Sequence, residues 1–365
     1  MNPNQQLHDL GQSLWLDNIT RTLLDDGTLQ RYVEELAVTG LTSNPTIFEK
    51  AIVGSDAYDT AIARSSTTDT QALFFELALS DLTRAADLFA PIHRRTGGAD
   101  GWVSLEVSPM LAEDAAGTID AAAALHQRAG RENLFIKIPG TGAGLAAIEE
   151  STFAGVPVNV TLLFSAGQTL AAAEAWVRGI ERRIKAGRNP PVTSVLSLFV
   201  SRWDVAVQDK VTDDLRDRLG IAVARRTYRD YLALCRTPRW QELSERGVRP
   251  QRLLWASTGT KDPNAPDTLY VEALAAPNTI NTLPEATLKA FADHGHLGGS
   301  MPYDGGDAEV TLARFKSAGI DIDALADQLQ REGTVQFSTS WCQLLAGIEA
   351  KRKRVAGAER MGTGR

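Results

Sequence analysis

The sequence predicts an α/β protein with the (β/α)8 TIM barrel fold and additional helices at its C-terminus. Eight short apolar segments alternate with longer stretches whose apolar residues recur at helical spacing. Strands that alternate with helices build a parallel sheet, and eight strands are the number that closes into a barrel. The chain has 365 residues, a length that barrels with insertions reach. We expect one domain over residues 1–365, with a core over about 12–350 and a flexible tail over about 356–365.

The predicted strands are short runs of apolar and β-branched residues that are bounded by turn residues. In chain order they span 14–19, 40–43, 102–107, 134–138, 156–161, 194–200, 252–257 and 278–283. Helical patterns lie between them, for example at 70–93, 143–151, 166–186, 207–219 and 228–234. Further helical patterns follow the eighth strand, at 308–318, 322–332 and 335–355. The sequence shows no long linker and no internal repeat, which favours a single barrel.

The polarity of alternate residues divides each predicted strand into two faces, because successive strand residues point in opposite directions. One face is apolar and is expected to pack against outer helices. The other face carries Asp17, Glu106, Lys137, Asn159 and Ser197 near the carboxyl ends of five strands. In a barrel these faces converge at one end, which is where barrel enzymes react. Several converging polar groups therefore predict an active site.

Lys137 lies in the middle of the apolar segment 133–140, NLFIKIPG, where a cation is costly unless it is paired or neutral. A desolvated, neutral amine is a nucleophile that forms a Schiff base with a carbonyl group. The Schiff base then accepts electrons when a carbon–carbon bond breaks, and carboxylates such as Glu106 handle the protons. Two structural interpretations stay open: a buried salt bridge between Glu106 and Lys137, and a lysine whose long stem reaches water.

Composition argues against several other classes of protein. The net charge of −7 weighs against nucleic acids and anionic membranes as partners. Cys235 and Cys342 show no CxxC spacing, which indicates neither a disulfide framework nor a zinc site and fits a reducing cytoplasm. The N-terminus has no signal pattern, and no apolar stretch approaches the roughly 18 residues of a membrane span. We expect a cytoplasmic protein.

Glycines at 140–144, GTGAG, follow a predicted strand and open a helix, as a dinucleotide-binding loop does. The next predicted strand ends in Asn159, Val160 and Thr161, with no acidic residue that could hold a ribose. The pattern therefore favours a tight turn between strand and helix.

Several ordered motifs resemble the transaldolase family. They are LTSNPT at 41–46, NLFIKIPG at 133–140, PVNVTLLF at 157–164, SLFVSR at 197–202 and NTLPEA at 281–286. The similarity extends over nearly the whole chain, and the length together with WASTGTK at 255–261 resembles the longer bacterial branch. The resemblance implies a (β/α)8 barrel related to class I aldolases, with no metal and no organic cofactor.

The resemblance assigns the chemistry to residues that the strand pattern also singles out. Lys137 would form the Schiff base, and Asp17 would be the acid and base at the sugar C4 hydroxyl. Glu106 would transfer protons through a water molecule that Thr161 helps to hold. These roles are those of the family and rest on the motif positions.

The same resemblance assigns the substrate contacts. Asn44, Asn159 and Ser197 would bind the dihydroxyacetone part, and Phe199 would pack beside them. Ser257 and Arg202 would hold the phosphate, the arginine by a charge-assisted fork.

The chain departs from the shorter transaldolases at the phosphate site. Those proteins carry an arginine two residues after the serine that matches Ser257, and this chain has Gly259 there. Lys261 is a candidate replacement for the lost charge, but a lysine is a point donor and cannot form a fork. The departure bears on phosphate affinity and acceptor choice, and it leaves the lysine chemistry untouched.

The resemblance implies a transferase of the pentose phosphate pathway, a transaldolase. It would move a dihydroxyacetone unit from sedoheptulose 7-phosphate or fructose 6-phosphate to glyceraldehyde 3-phosphate or erythrose 4-phosphate. Its partners would be small-molecule sugar phosphates and a second copy of the chain in a homodimer. Two alternatives stay open: a fructose 6-phosphate type aldolase that releases free dihydroxyacetone, and a catalytically silent barrel that binds sugar phosphates.

Overall fold

The computed structural model describes residues 2–362, and it confirms the predicted barrel. Within this part of the chain, parallel strands pair in chain order, and β8 pairs with β1 to close the sheet. The strands are β1 Ser13–Leu16, β2 Val38–Leu41, β3 Val103–Glu106, β4 Leu134–Pro139, β5 Val158–Leu163, β6 Ser194–Phe199, β7 Arg252–Ala256 and β8 Ile280–Leu283. Each overlaps a predicted strand, because short apolar runs between turn residues identify buried strands well.

Helices connect the strands and surround the sheet. Before β6 these are α1 Pro3–Asp9, α2 Arg21–Asp25, α3 Thr28–Glu35, α4 Pro45–Val53, α5 Asp59–Arg64, α6 Thr70–Arg95, α7 Ala115–Ala129, α8 Gly142–Ala154 and α9 Ala166–Lys185. After β6 they are α10 Ser201–Val207, α11 Leu219–Cys235, α12 Pro238–Glu245, α13 Leu269–Ala273, α14 Glu285–His294, α15 Ala308–Ser317 and α16 Ile322–Gly362. Single 3₁₀ turns occur at Asp56–Tyr58, Pro109–Leu111 and Asp213–Leu215.

The barrel interior is closed at the amino ends of the strands. Trp102 stacks on Phe135 with ring centroids 3.9 Å apart, and Trp15 packs beside them. Below these rings, Asp100 accepts hydrogen bonds from Ser13 and from the indole of Trp15, the latter at 2.9 Å. Large rings and a bonded polar cluster fill the barrel interior at this end, and barrel enzymes bind their substrates at the opposite, carboxyl end.

The helix predicted over 207–219 is wrong. In the structure α10 ends at Val207, a 3₁₀ turn follows, and α11 begins at Leu219. The carboxylate of Asp204 accepts hydrogen bonds from the amides of Leu219 at 2.8 Å and Gly220 at 3.2 Å. It therefore satisfies amides that a helix start leaves without partners, and it fixes where α11 begins.

The two helices predicted over 322–332 and 335–355 are one continuous helix, α16. Gly333 lies at the predicted break, where a glycine weakens a helical pattern. In the structure Gly333 is buried against the barrel, where a β-carbon would come within 3.0 Å of Leu162. The glycine allows close packing and does not end the helix.

The structure describes only part of the predicted flexible tail. The backbone of residues 356–362 continues α16, whereas residues 363–365 lie outside the described residues. A flexible tail over 356–365 therefore stays a prediction. None of the described helices has an apolar stretch long enough to cross a lipid bilayer.

Candidate active site

Lys137 lies inside the barrel near the carboxyl end of β4, and its side chain is buried. Its residue is 5% exposed. The amine Nζ donates a hydrogen bond to the backbone carbonyl of Ser43 at 3.0 Å and lies 3.4 Å from Oε2 of Glu106. Strand register explains the second contact, because Glu106 on β3 pairs directly with Lys137. The amine is held in place by two acceptors, one on the neighbouring strand β3 and one in the segment after β2.

Two carboxylates share this end of the barrel, and burial is the largest influence on both. Burial raises the pKa of Glu106 above its usual range, while the charge of Lys137 and the hydrogen bond from its amine oppose the rise. Burial also raises the pKa of Asp17, which follows β1. The 2.7 Å hydrogen bond from Thr42 and the positive charges of Lys137 and Lys261 oppose that rise. Carboxyl groups with a raised pKa can donate and accept protons near neutral pH.

A row of amide and hydroxyl groups lies beside the lysine on β3, β5 and β6. The side-chain amide of Asn159 donates to Oγ of Ser104 at 3.1 Å, and Oγ of Ser197 donates to the carbonyl oxygen of Asn159 at 2.7 Å. Asn159 pairs in register with Lys137. The structure therefore brings predicted residues Asn159 and Ser197 to the amine as a bonded set.

Thr161 lies two residues further along β5 on the same face as Asn159. Its hydroxyl is fully buried and makes no hydrogen bond to any described residue. A buried hydroxyl normally has a partner, because an unpaired one costs free energy. This group is therefore available to a small polar molecule between the strand ends.

Asn44 follows the residue whose carbonyl accepts the hydrogen bond from Lys137. Its side chain caps α4, with Oδ1 accepting from the amide of Ile47 at 3.0 Å. The structure thus shows a capping role for this residue, and its amide nitrogen is the part left for a ligand.

Predicted phosphate ligands lie at the carboxyl ends of β6 and β7. The guanidinium carbon of Arg202 lies 5.1 Å from the ring centroid of Phe199, and burial lowers the pKa of this arginine. Ser257 has φ of 57°, a left-handed backbone conformation that is rare outside glycine, and its hydroxyl lies 2.8 Å from that of Ser201. Backbone strain of this kind is concentrated at functional sites.

Lys261 lies in the loop after β7, where its side chain is exposed. A β-carbon at Gly259 would lie 3.9 Å from Nζ of Lys261. The amine therefore occupies space next to the position where the shorter transaldolases carry an arginine. Its positive charge also acts on Asp17, where it opposes the rise in pKa that burial causes.

Sequence reasoning missed several residues that complete the site. Thr42 bonds both Asp17 and the hydroxyl of Thr282 at 2.6 Å, and its place in the LTSNPT motif was the available signal. Phe337 arrives from α16, and its ring centroid is 6.0 Å from the amine of Lys137. No local sequence pattern marks Phe337, because an apolar helical residue usually belongs to a core.

The described residues bring together no group of three or more histidine, cysteine, aspartate or glutamate side chains that could hold a metal ion. The groups that do converge are one amine, two carboxylates, amides and hydroxyls. Such a set suits covalent chemistry on a carbonyl compound with several hydroxyl groups.

Comparison with known proteins agrees with this chemistry. Residues 14–348 match the model of the transaldolase/fructose-6-phosphate aldolase family. The chain is 44% identical to a protein named transaldolase from Thiobacillus denitrificans over 358 residues, covering 95% of this chain and all of that protein. It is 43% identical to a transaldolase from Frankia alni, with 95% and 96% of the two chains covered. Identity to a transaldolase from Neisseria gonorrhoeae is 41%, with 93% and 97% covered.

Proposed function

The chain belongs to the transaldolase/fructose-6-phosphate aldolase family, and from this premise we propose that Lys137 is the residue through which it acts. Its activity is that of a transaldolase, the transfer of a dihydroxyacetone unit between sugar phosphates. The observation that carries the assignment is the buried amine of Lys137, 3.4 Å from Glu106 at the carboxyl end of the barrel.

The first half of the reaction forms the Schiff base. Glu106 accepts a proton from the ammonium of Lys137, and the neutral amine attacks the ketone carbon of the donor. The resulting carbinolamine loses its hydroxyl as water, and the proton for this step returns from Glu106. The unpartnered hydroxyl of Thr161 supports a role in holding a water molecule that carries this proton.

The second half breaks and makes a carbon–carbon bond. Asp17 takes the proton from the C4 hydroxyl of the donor, the bond between C3 and C4 breaks, and its electron pair moves into the iminium to give an enamine. The shortened aldose leaves, and the enamine attacks the aldehyde carbon of the acceptor while Asp17 returns the proton. Hydrolysis of the new iminium frees the product and restores Lys137.

Substrate contacts follow from the remaining groups. The bonded pair Asn159 and Ser197, with the amide of Asn44, can hold the hydroxyls of the dihydroxyacetone part. Arg202 supports a phosphate role because it is half-buried and has no carboxylate within 4.0 Å among the described residues. Ser257 and Lys261 border the same end of the barrel. A half-buried guanidinium that makes no ion pair is a good site for an anion.

Borohydride trapping tests the assignment. Borohydride reduces a Schiff base to a stable amine, so incubation with fructose 6-phosphate should leave a dihydroxyacetone-sized mass on the peptide that contains Lys137. Lys351 is a matched internal control, because it is 4% exposed and lies 2.9 Å from Asp59, away from the barrel mouth. Labelling of the Lys351 peptide, or none in the wild type, would refute the proposal. Release of free dihydroxyacetone without an acceptor would identify a plain aldolase instead.

Three further expectations accompany this proposal. The chain works as one domain, it assembles as a homodimer, and it acts in the cytoplasm on sugar phosphates without nucleic-acid or membrane partners. The net charge of −7 supports the last point. Analytical ultracentrifugation at several concentrations checks the homodimer.

A further inference from the structure

One face of α16 lies across the carboxyl end of the barrel. Gln330, Gly333 and Phe337 share this face, because residues three and seven positions apart align on a helix. The side-chain amide of Gln330 donates to the carbonyls of Gly140 at 3.1 Å and Leu162 at 2.9 Å. These carbonyls follow Lys137 and Thr161 on β4 and β5. The helix is therefore bonded directly to the strand ends that carry the chemistry.

Arg202 is held mainly by rings. Its guanidinium carbon lies 5.1 Å from the centroid of Phe199 and 5.9 Å from that of Phe337, and the two rings are 6.4 Å apart in an edge-to-face arrangement. No described carboxylate lies within ion-pairing distance of the guanidinium. Attraction between a cation and aromatic faces is strongest where water is excluded. Glu332 of α16 attracts the guanidinium from beyond ion-pairing distance, and the ring of Phe337 is the group of this helix in contact with it.

Gly333 fixes how closely the helix approaches. A β-carbon at this position would lie 3.3 Å from a terminal nitrogen of Arg202 and 3.0 Å from Leu162. Both distances are shorter than comfortable contact. A side chain here would displace either the arginine or the helix.

Phe337 also lies between the amine of Lys137 and the guanidinium of Arg202. Its centroid is 6.0 Å from Nζ of Lys137 and 5.9 Å from the guanidinium carbon of Arg202. The ring is 7% exposed and faces into the barrel mouth. A donor whose carbonyl carbon is bound at Lys137 and whose phosphate is bound at Arg202 must pass beside this ring.

We propose that Phe337 is a specificity-determining residue, which positions Arg202 and thereby selects phosphorylated donors over phosphate-free ketoses. The inference rests on the proposed roles of Lys137 and Arg202. Gly333 serves the same purpose by letting the helix approach Arg202. The chemistry at Lys137 does not require the ring, so its loss should reduce phosphate recognition and spare the chemical step.

The test compares two donors in the same full-length enzyme. Steady-state kinetics are measured with fructose 6-phosphate and with fructose, each with glyceraldehyde as a phosphate-free acceptor, and inorganic phosphate is titrated as an inhibitor. For Phe337→Leu we expect KM for fructose 6-phosphate and the inhibition constant of phosphate to rise about tenfold. We expect kcat with either donor, and kcat/KM for fructose, to stay within about twofold.

Two matched controls separate positioning from folding. Val335→Ala changes an exposed side chain on the same helix and should resemble wild type. Gly333→Ala should weaken phosphate inhibition, whereas Gly357→Ala should not, because a β-carbon at Gly357 meets nothing within 4 Å. If Phe337→Leu fails to fold, the comparison of Gly333→Ala with Gly357→Ala still tests the inference.

The outcomes distinguish this inference from the proposed function. An unchanged inhibition constant for phosphate in both Phe337→Leu and Gly333→Ala would overturn the inference. An equal loss of kcat/KM with fructose and fructose 6-phosphate would also overturn it, since the ring would then only support the fold. A wild-type enzyme that forms no borohydride adduct at Lys137 would instead refute the proposed function.

Discussion

We expect a variant without the buried ion pair of Glu106 and Lys137 to be inactive but at least as stable as the wild type. Both side chains are 7% exposed, and Nζ lies 3.4 Å from Oε2. At an effective dielectric constant of about 20, their attraction is about 5 kcal/mol. Removing two charges from water costs several kcal/mol for each ion, so the attraction does not clearly exceed the cost. We therefore expect the double variant Glu106→Gln/Lys137→Met to unfold at the same or a higher urea concentration than wild type.

The expected gain is about 0 to 4 kcal/mol in the free energy of unfolding, together with complete loss of activity. The single variant Lys137→Met should behave differently, because it leaves Glu106 buried without its cation. We expect it to lose about 3 kcal/mol near pH 8. Burial keeps the pKa of Glu106 above its ordinary value, so the folded state binds a proton more tightly than the unfolded state. The stability linked to that proton is present below the unfolded pKa and is lost as pH rises through the raised folded pKa.

Urea unfolding followed by circular dichroism at pH 5 and pH 8 measures these changes. Lys137→Met should recover much of its stability at pH 5. The double variant has no carboxyl group at position 106, so this site should not change its free energy of unfolding between pH 5 and pH 8. Glu106→Gln alone is the remaining corner of the double-mutant cycle. A double variant that is less stable than wild type by more than about 1 kcal/mol would refute the reasoning, since the pair would then stabilise the fold.

Three more predictions concern separate groups. Asp17→Asn should slow turnover at least about a hundredfold, and borohydride should then trap the whole fructose 6-phosphate adduct on Lys137; a dihydroxyacetone-sized adduct would contradict the role of Asp17. Lys261→Ala should raise KM for phosphorylated substrates with little change in kcat, and an unchanged KM would end its assignment to the phosphate. Lys351→Ala should lower the free energy of unfolding by about 1 to 3 kcal/mol, because Asp59 loses its nearer partner at 2.9 Å, keeps Arg354 at 3.6 Å and stays about one-third exposed; denaturation without a shifted midpoint would contradict this.

The sequence was sufficient to predict the barrel and much of the site because both depend on local patterns. Alternation along a strand is set by backbone geometry, so the order of residues alone assigns Lys137 and Asn159 to the polar faces of their strands. Adjacent strands then bring Glu106 into register with Lys137, as observed. This argument from alternating faces works only for residues within strands, where the direction of one side chain determines that of the next.

Contacts from distant segments could not be predicted in this way. Phe337 reaches Lys137 from near the other end of the chain because α16 docks on the barrel mouth, and helical periodicity does not say where a helix docks. The start of α11 depends on Asp204, whose carboxylate caps the helix from an earlier segment. The basic run 351–354 has the charge pattern of a solvated helix end, yet Lys351 is buried and ion-paired with Asp59. In each case tertiary contacts decide a question that local propensity leaves open.

The two ends of the barrel show why only some buried polar groups are functional. At the amino end, Arg252 donates to Ser13 at 2.7 Å and to the carbonyl of Thr279 at 2.6 Å, and Asp100 accepts from Ser13 and Trp15. These four side chains bond to one another or to the backbone. At the carboxyl end, the hydroxyl of Thr161 has no partner among the described residues. Because unpaired buried groups are costly, a fold retains them where a substrate or water completes the bonds. Buried polar groups are present at both ends, and the carboxyl end is set apart by the amine of Lys137 and the two carboxylates of Asp17 and Glu106 that lie there with Thr161.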